Sequence, residues 1–400
     1  MKEETKVRIR EVMDEAIAKG ETAGASLLLI RDGHKIHFEA RGFANVEKGI
    51  PYSRDRIVRL FSMSKPITSA AAMILMERGM LDLSTPVQEL LPGFGQPYLL
   101  VDGKHIVPPT PVTVFHLLNM TAGITYGDPD TPEGRAVTSF LEQCQAKMYG
   151  PEAVTTREFA IGLSRIPLAF EPDTSWRYGL CADVLGAVIE QVAGVSFGDF
   201  LRENIFEPLG MKDTGFFVPA EKQDRLADAY LTVAPGDIRP FSSDHLVTSY
   251  RKDEKPAFES GGAGLVSTID DYARFAQMLL HGGMLDGVRI LKPETVAFMT
   301  RGRLTDVQQR AMRKWVGLEG FTYSNLMRIR DEQLGNFPGL SRPGEYGWDG
   351  WMGCYFANFP ADRVTMVLTQ QKAETGTTPM TRKIRNLVLS DEEVFIPVGR

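Results

Sequence analysis

Residues 59–69 read Arg59-Leu60-Phe61-Ser62-Met63-Ser64-Lys65-Pro66-Ile67-Thr68-Ser69. Residues three apart on a helix share a face, so the Ser62 hydroxyl and the Lys65 amine can meet. A serine hydroxyl is a poor nucleophile until a neighbouring base takes its proton. A lysine can do so when burial and a helix N-terminus push its pKa toward neutrality. Leu60-Phe61 before the pair, and an apolar helix predicted over Ile67 to Arg78 and stopped by Gly79, supply that burial. Pro66 falls in the first turn, where its missing N–H costs little, yet it disfavours helical angles at Lys65. Ser64 adjoins Lys65 and points about a quarter-turn away, which makes it the weaker nucleophile.

Outward from this stretch the two chain ends look alike and the middle differs. Val7 to Lys19 has helical spacing and stops at Gly20. Ala25 to Ile30 is a buried-strand run, Asp32-Gly33 a hairpin turn, and Lys35 to Ala40 the returning strand. Near the other end, Cys354 to Asn358 and Val364 to Thr369 are two strands joined at Pro360-Ala361-Asp362, followed by a helix over Met380 to Leu389. Between them, Val112 to Leu118, Ala182 to Val192, Phe197 to Asn204 and Ile269 to Leu280 read as helices, and Gly127 to Val137 and Val233 to Pro256 as long loops. The expected fold is α/β of the α+β kind. Residues 1–62 and 315–400 form one sheet domain, 63–314 an inserted, mostly helical lobe, and the site lies where they meet.

Composition narrows the function. The 400 residues carry 45 basic and 51 acidic side chains, net −6 with no basic block, which argues against a nucleic-acid surface. The chain has no apolar run of about 18 residues, which argues against a membrane partner. Its mixed-charge start points to the cytoplasm. Three distant cysteines, Cys144, Cys181 and Cys354, are odd in number and far apart, which argues against a disulfide framework or a zinc ribbon. Of the remaining motifs, Gly194-Val195-Ser196-Phe197-Gly198 has the nucleophile-elbow spelling, but helices flank it, so Gly194 reads as a C-cap and Ser196 as an N-cap. Ser249-Tyr250-Arg251-Lys252 repeats the Ser-x-x-Lys spacing in a charged loop, and His34 and His37 read as solvent-facing strand residues.

The 59–69 stretch closely resembles the active-site segment of the class C β-lactamase and penicillin-binding superfamily, and most of all its family VIII carboxylesterase branch. Gly79 to Leu83, Val112 to Ile124, Ile205 to Met211 and Gly261 to Thr268 match in order, so the resemblance spans about residues 5–390. It implies a β-lactamase/transpeptidase-like fold with an antiparallel sheet flanked by terminal helices. Trp176-Arg177-Tyr178-Gly179-Leu180 resembles the second catalytic element and nominates Tyr178, ahead of Tyr323-Ser324-Asn325, which reads as strand. A phenol beside an ammonium is expected to have its pKa drawn down toward the lysine's and to relay protons. Tyr346-Gly347-Trp348-Asp349-Gly350-Trp351 stands where β-lactamases carry Lys-Thr-Gly.

The resemblance therefore implies a serine hydrolase that cleaves small-molecule carboxylic esters through an acyl-enzyme, with no metal or organic cofactor. Ser62, Lys65 and Tyr178 are the implied catalytic set, and the backbone N–H groups of Ser62 and Trp351 the implied oxyanion hole. Trp348, Asp349, Gly350 and Tyr346 are expected to bind substrate. Gly350 would let it approach the strand backbone, and Trp348, Trp351 and Tyr346 would form an aromatic wall. Trp348 lacks the charge of the family's lysine, Asp349 in its ionised form repels anions, and Leu180 replaces an amide-gripping asparagine. All three changes favour a neutral ester. A β-lactamase or D-amino-acid peptidase activity, or a penicillin-recognising module with little turnover, stay open as alternatives.

Overall fold

The structure, a computed structural model, describes residues 1–302, 304–315, 317–335 and 337–395. Asp32 and Gly33 take φ of 52° and 76°, the two left-handed residues a type I′ turn needs, and join strand Gly24–Arg31 to His34–Asn45. The returning strand runs past Ala40 because Gly42 (φ 75°) lets it cross close to its neighbour. A Cβ there would sit 2.3 Å from the Ala23 carbonyl oxygen. Strands Tyr355–Phe359 and Val364–Gln370 come from the far end. Val364–Gln370 pairs antiparallel with Gly24–Arg31, placing Ala25 opposite Gln370.

The two ends thus share one antiparallel sheet. Its order is Phe321–Ser324, Met327–Arg330, Tyr346–Asp349, Tyr355–Phe359, Val364–Gln370, Gly24–Arg31, His34–Asn45 and Ile50–Pro51. Strand alternation sends Leu27 and Leu29 to one face. There they pack with Ile9 and Met13 of helix Glu3–Ala18 and with Ile384 and Val388 of helix Pro379–Leu389. Leu28 joins the larger core on the opposite face. At about 1.5–3 kcal/mol for each fully buried aliphatic side chain, both faces contribute substantially.

Helix Ser64–Glu77 is buried at every residue from Ser64 to Leu75 and packs on helix Cys181–Ala193. Lys65 is helical despite the proline that follows. The first turn is held by the Leu265 N–H, which donates to Ser64 Oγ at 3.1 Å. Helices Val114–Asn119, Phe197–Leu201 and Ile269–Leu280 lie where the periodicity puts them, the second passing at Arg202 into a wider π turn. Both predicted loops hold regular structure. Helix Pro132–Ala146 starts inside the first, with Thr131 capping the Gly134 N–H and Pro132 at the tolerant first position. Strands Ala229–Ala234 and Asp237–Phe241 pair across Pro235-Gly236 in the second. His34 is exposed, but His37 is half-buried against the first helix. Burial foremost, then Lys6 and Arg10, pushes its pKa down to about 4.

Candidate active site

Ser62 sits in a 3-10 turn, Phe61–Met63, that feeds directly into helix Ser64–Glu77. Phe61 has φ 46°, a left-handed conformation that a bulky residue adopts at a cost of order 1–3 kcal/mol. Packing offsets that strain, since the Phe61 ring lies 5.1 Å from Trp351 and 6.0 Å from His245. The turn leaves Ser62 partly accessible while Phe61 and Met63 on either side are buried.

Lys65 is fully buried, and its ammonium donates to Ser62 Oγ at 3.2 Å, Tyr126 Oη at 3.1 Å and Gly262 O at 2.9 Å. Those three acceptors use all three ammonium protons. Once one proton is lost, the amine keeps donors for Tyr126 and Gly262 and turns a lone pair toward Ser62. Burial lowers the Lys65 pKa to about 8, against the opposing pull of Asp183, so the neutral form is within reach near neutral pH. Asp183 is itself buried and accepts from Ser260 Oγ and from the Gly262 N–H at 3.1 Å. It fixes the carbonyl that Lys65 uses.

The Gly261-Gly262 pair is small for a packing reason. A Cβ on Gly261 would lie 2.3 Å from the Ala182 carbonyl oxygen, and one on Gly262 would lie 2.6 Å from Asp183 Oδ2. Gly261→Ala should therefore destabilise the fold by about 1–3 kcal/mol, the usual cost of forcing atoms into a filled interior. Thermal unfolding of the variant checks this; an unchanged Tm would show that the segment can shift freely.

Tyr178 Oη accepts from Trp348 Nε1 at 2.9 Å, and the Ser62 hydroxyl lies within reach of both the Tyr178 and the Tyr126 phenols. The expected fall in the Tyr178 pKa does not occur. Burial holds this phenol well above its ordinary range. The reason is geometric: Lys65 Nζ stands over the Tyr178 ring face, 4.8 Å from its centroid, and its hydrogen bond goes to Tyr126. Tyr126 is the residue the sequence reading missed. It lies two positions beyond the Val112 to Ile124 segment already singled out.

Neither the Ser62 nor the Trp351 backbone N–H has an acceptor among the described residues. Gly350, between Asp349 and Trp351, lines the cleft and also has a packing reason to lack a side chain: a Cβ there would meet the Leu60 carbonyl oxygen at 2.1 Å. The glycine lets this strand end press against the segment before Ser62. Tyr346 is not in the site. It is buried in the sheet, where its hydroxyl accepts from Asn358 Nδ2 at 3.0 Å. Trp348 and Asp349 do line the cleft, a space of about 380 Å³ shared with Ser62, Tyr178 and Trp351. Trp351 also stacks on His245 (4.1 Å, 17°). The expected repulsion by Asp349 is offset by Arg328, whose Nη1 lies 3.4 Å from Oδ2, while Thr377 donates to the same oxygen. Leu180 is buried at the start of helix Cys181–Ala193.

The rival motifs are structural. Ser196 caps helix Phe197–Leu201, accepting from the Asp199 N–H at 3.1 Å, and Gly194 is a left-handed C-cap. Ser249 accepts from Tyr149, and Lys252 is buried on the Gly264 carbonyl oxygen at 2.6 Å.

The chain is similar to several known proteins. A mycobacterial protein, Rv1367c of Mycobacterium tuberculosis, is 32% identical over 382 residues, covering 90% of this chain and 88% of its own. Esterase EstB of Burkholderia gladioli is 29% identical over 406 residues, covering 95% and 94%. Among solved structures, EstCE1, a hydrolase with promiscuous acyltransferase activity, superposes with a TM-score of 0.80 at 29% identity over 96% of this chain and 98% of its own. Simvastatin synthase from Aspergillus terreus, at 22% identity and a TM-score of 0.78 over 96% of each chain, shares the fold. The profile of the family described as Beta-lactamase matches residues 9–389, and the chain belongs to that family.

Proposed function

We propose that the protein hydrolyses carboxylic esters through an acyl-enzyme on Ser62. The observation that carries this is the Lys65 amine 3.2 Å from Ser62 Oγ, oriented by Tyr126 and Gly262 and lowered in pKa by burial. Neutral Lys65 takes the Ser62 proton as Oγ attacks the ester carbonyl carbon. The carbonyl oxygen becomes an oxyanion held by the N–H groups of Ser62 and Trp351, each worth about 10²–10³ in rate. The C–O bond to the alcohol then breaks, and the departing oxygen takes a proton from Tyr178; because Lys65 faces the Tyr178 ring rather than its hydroxyl, a water in the cleft carries the proton held by Lys65 back to that phenol. Water attacks the acyl-enzyme with Lys65 again as base, releasing the acid and restoring Ser62. Relatives named as esterases support the reading.

Intact-mass analysis after a fluorophosphonate probe tests it. A single adduct on the peptide holding Ser62, together with turnover of p-nitrophenyl acetate, is expected; an adduct on another serine sinks the assignment. The two tyrosines should separate by leaving group. Tyr178→Phe should cost about 10²–10³ on ethyl esters, whose alkoxide needs a proton, and much less on p-nitrophenyl esters, whose phenolate does not. Tyr126→Phe, which loses a Lys65 partner, should slow both alike. Equal losses for Tyr178→Phe on the two ester types would remove its role as acid.

A further inference from the structure

The cleft holds a buried guanidinium that the reaction above does not use. Arg328 lies on strand Met327–Arg330, opposite Gly347 of the neighbouring strand Tyr346–Asp349. Its side chain is 6% exposed, yet it lines the same cleft as Ser62. Its polar neighbours include the Asp349 carboxylate, at a long 3.4 Å, and the Tyr355 phenol, and the Glu345 carboxylate also acts on it electrostatically. The rings of Tyr355, Trp348 and Phe321 lie 4.9–5.7 Å from the guanidinium carbon. A guanidinium carries five N–H donors, and leaving buried donors unfilled is costly. Among the described residues no Arg328 nitrogen is both fully enclosed and unpartnered, so its spare donors open onto a cleft walled by aromatic side chains, where an acceptor on a bound substrate can meet them.

The sign of the missing partner follows from the neighbouring charges. Arg328 is balanced by Asp349, and Arg385, also buried and lining the cleft, is balanced by Glu345. Arg382, the further charged lining residue described, is solvent-exposed and donates to the Thr377 carbonyl oxygen. A carboxylate driven against Arg328 would add an uncompensated buried charge, whereas a neutral oxygen would fill the donors at no such cost.

Resting on the ester-hydrolase reading, we infer that Arg328 is a specificity-determining residue. It hydrogen-bonds a neutral acceptor oxygen (a ketone, lactone or ester carbonyl, or an ether) carried by a bulky apolar part of the substrate away from the scissile bond.

Matched ester pairs read this directly. On the acyl side the pair is p-nitrophenyl 4-oxopentanoate and p-nitrophenyl 4-methylpentanoate, which differ by a carbonyl oxygen in place of a methyl. On the alcohol side the trio is the butyrates of 4-acetyl-, 4-isopropyl- and 4-carboxyphenethyl alcohol. In the wild-type protein at least one carbonyl member should exceed its hydrocarbon partner in kcat/KM by roughly tenfold, the scale of one hydrogen bond to a charged donor. The ratio should fall to about one in Arg328→Met and lie between in Arg328→Lys. Fluorophosphonate labelling of Ser62 reports that each variant is folded, and the wild-type ratios stand by themselves if Arg328→Met does not fold. Ratios near one in wild type, ratios unmoved by Arg328→Met, or preference for the carboxylate alone would each overturn the inference. Failure of the hydrolase reading looks different: the wild type would then turn over none of these esters, nor p-nitrophenyl acetate.

Discussion

Ser62→Ala should lower kcat/KM for p-nitrophenyl acetate by at least about four orders of magnitude, while Ser196→Ala should retain more than half of it. The first variant keeps the Lys65 amine and both phenols but has no oxygen to form the acyl bond. What remains is the modest catalysis a binding pocket and oxyanion donors give without a nucleophile. The second variant loses a cap on the five-residue helix Phe197–Leu201, about 1 kcal/mol of local stability. Initial rates on purified proteins with matched circular dichroism decide the matter. A dead Ser196→Ala beside an active Ser62→Ala would reverse the assignment.

Lys65→Arg should be nearly as damaging, with a loss of at least about 10³, because a guanidinium stays charged and cannot accept the Ser62 proton. The wild-type pH profile carries the same information. The base works only when neutral, and the folded pKa is about 8, below the ordinary lysine value. Activity should thus climb about tenfold per unit through the range below pH 8 and level off above it. The depressed pKa sets the sign: acid removes activity and mild alkali restores it. A profile flat from pH 6 to 9 would remove Lys65 as the proton acceptor.

How much of this was legible depended on the range over which each feature is decided. The Asp32-Gly33 turn and the wholly apolar helix behind Lys65 are local, written in adjacent residues, and the structure keeps them with small changes at the ends. Helix Pro132–Ala146 was hidden because its cap, Thr131-Pro132, lies among glycine, aspartate and proline that spell a loop. Tyr346 and Trp348 look equivalent two residues apart. The pairing of Tyr346 with Asn358 across the sheet takes one into the core, while the Tyr178 phenol holds the other at the cleft. Lys65 meets Tyr126 across 61 positions, and Asp349 meets Arg328 across the sheet, so neither partnership leaves a periodic trace. The pentapeptide around Ser196 shows the converse: a familiar spelling whose flanking helices already give its structural role.

Pressing Leu60 against Gly350 has a kinetic corollary. The Ser62 and Trp351 amides, the oxyanion donors in the reaction proposed above, belong to segments nearly three hundred positions apart in the chain, held together by a backbone contact that admits no side chain. Closing so long a loop is entropically slow and belongs to the late stages of folding. Recovery of turnover after dilution from denaturant should then lag behind recovery of helical signal, which makes catalysis itself a clock for the docking of the last strands.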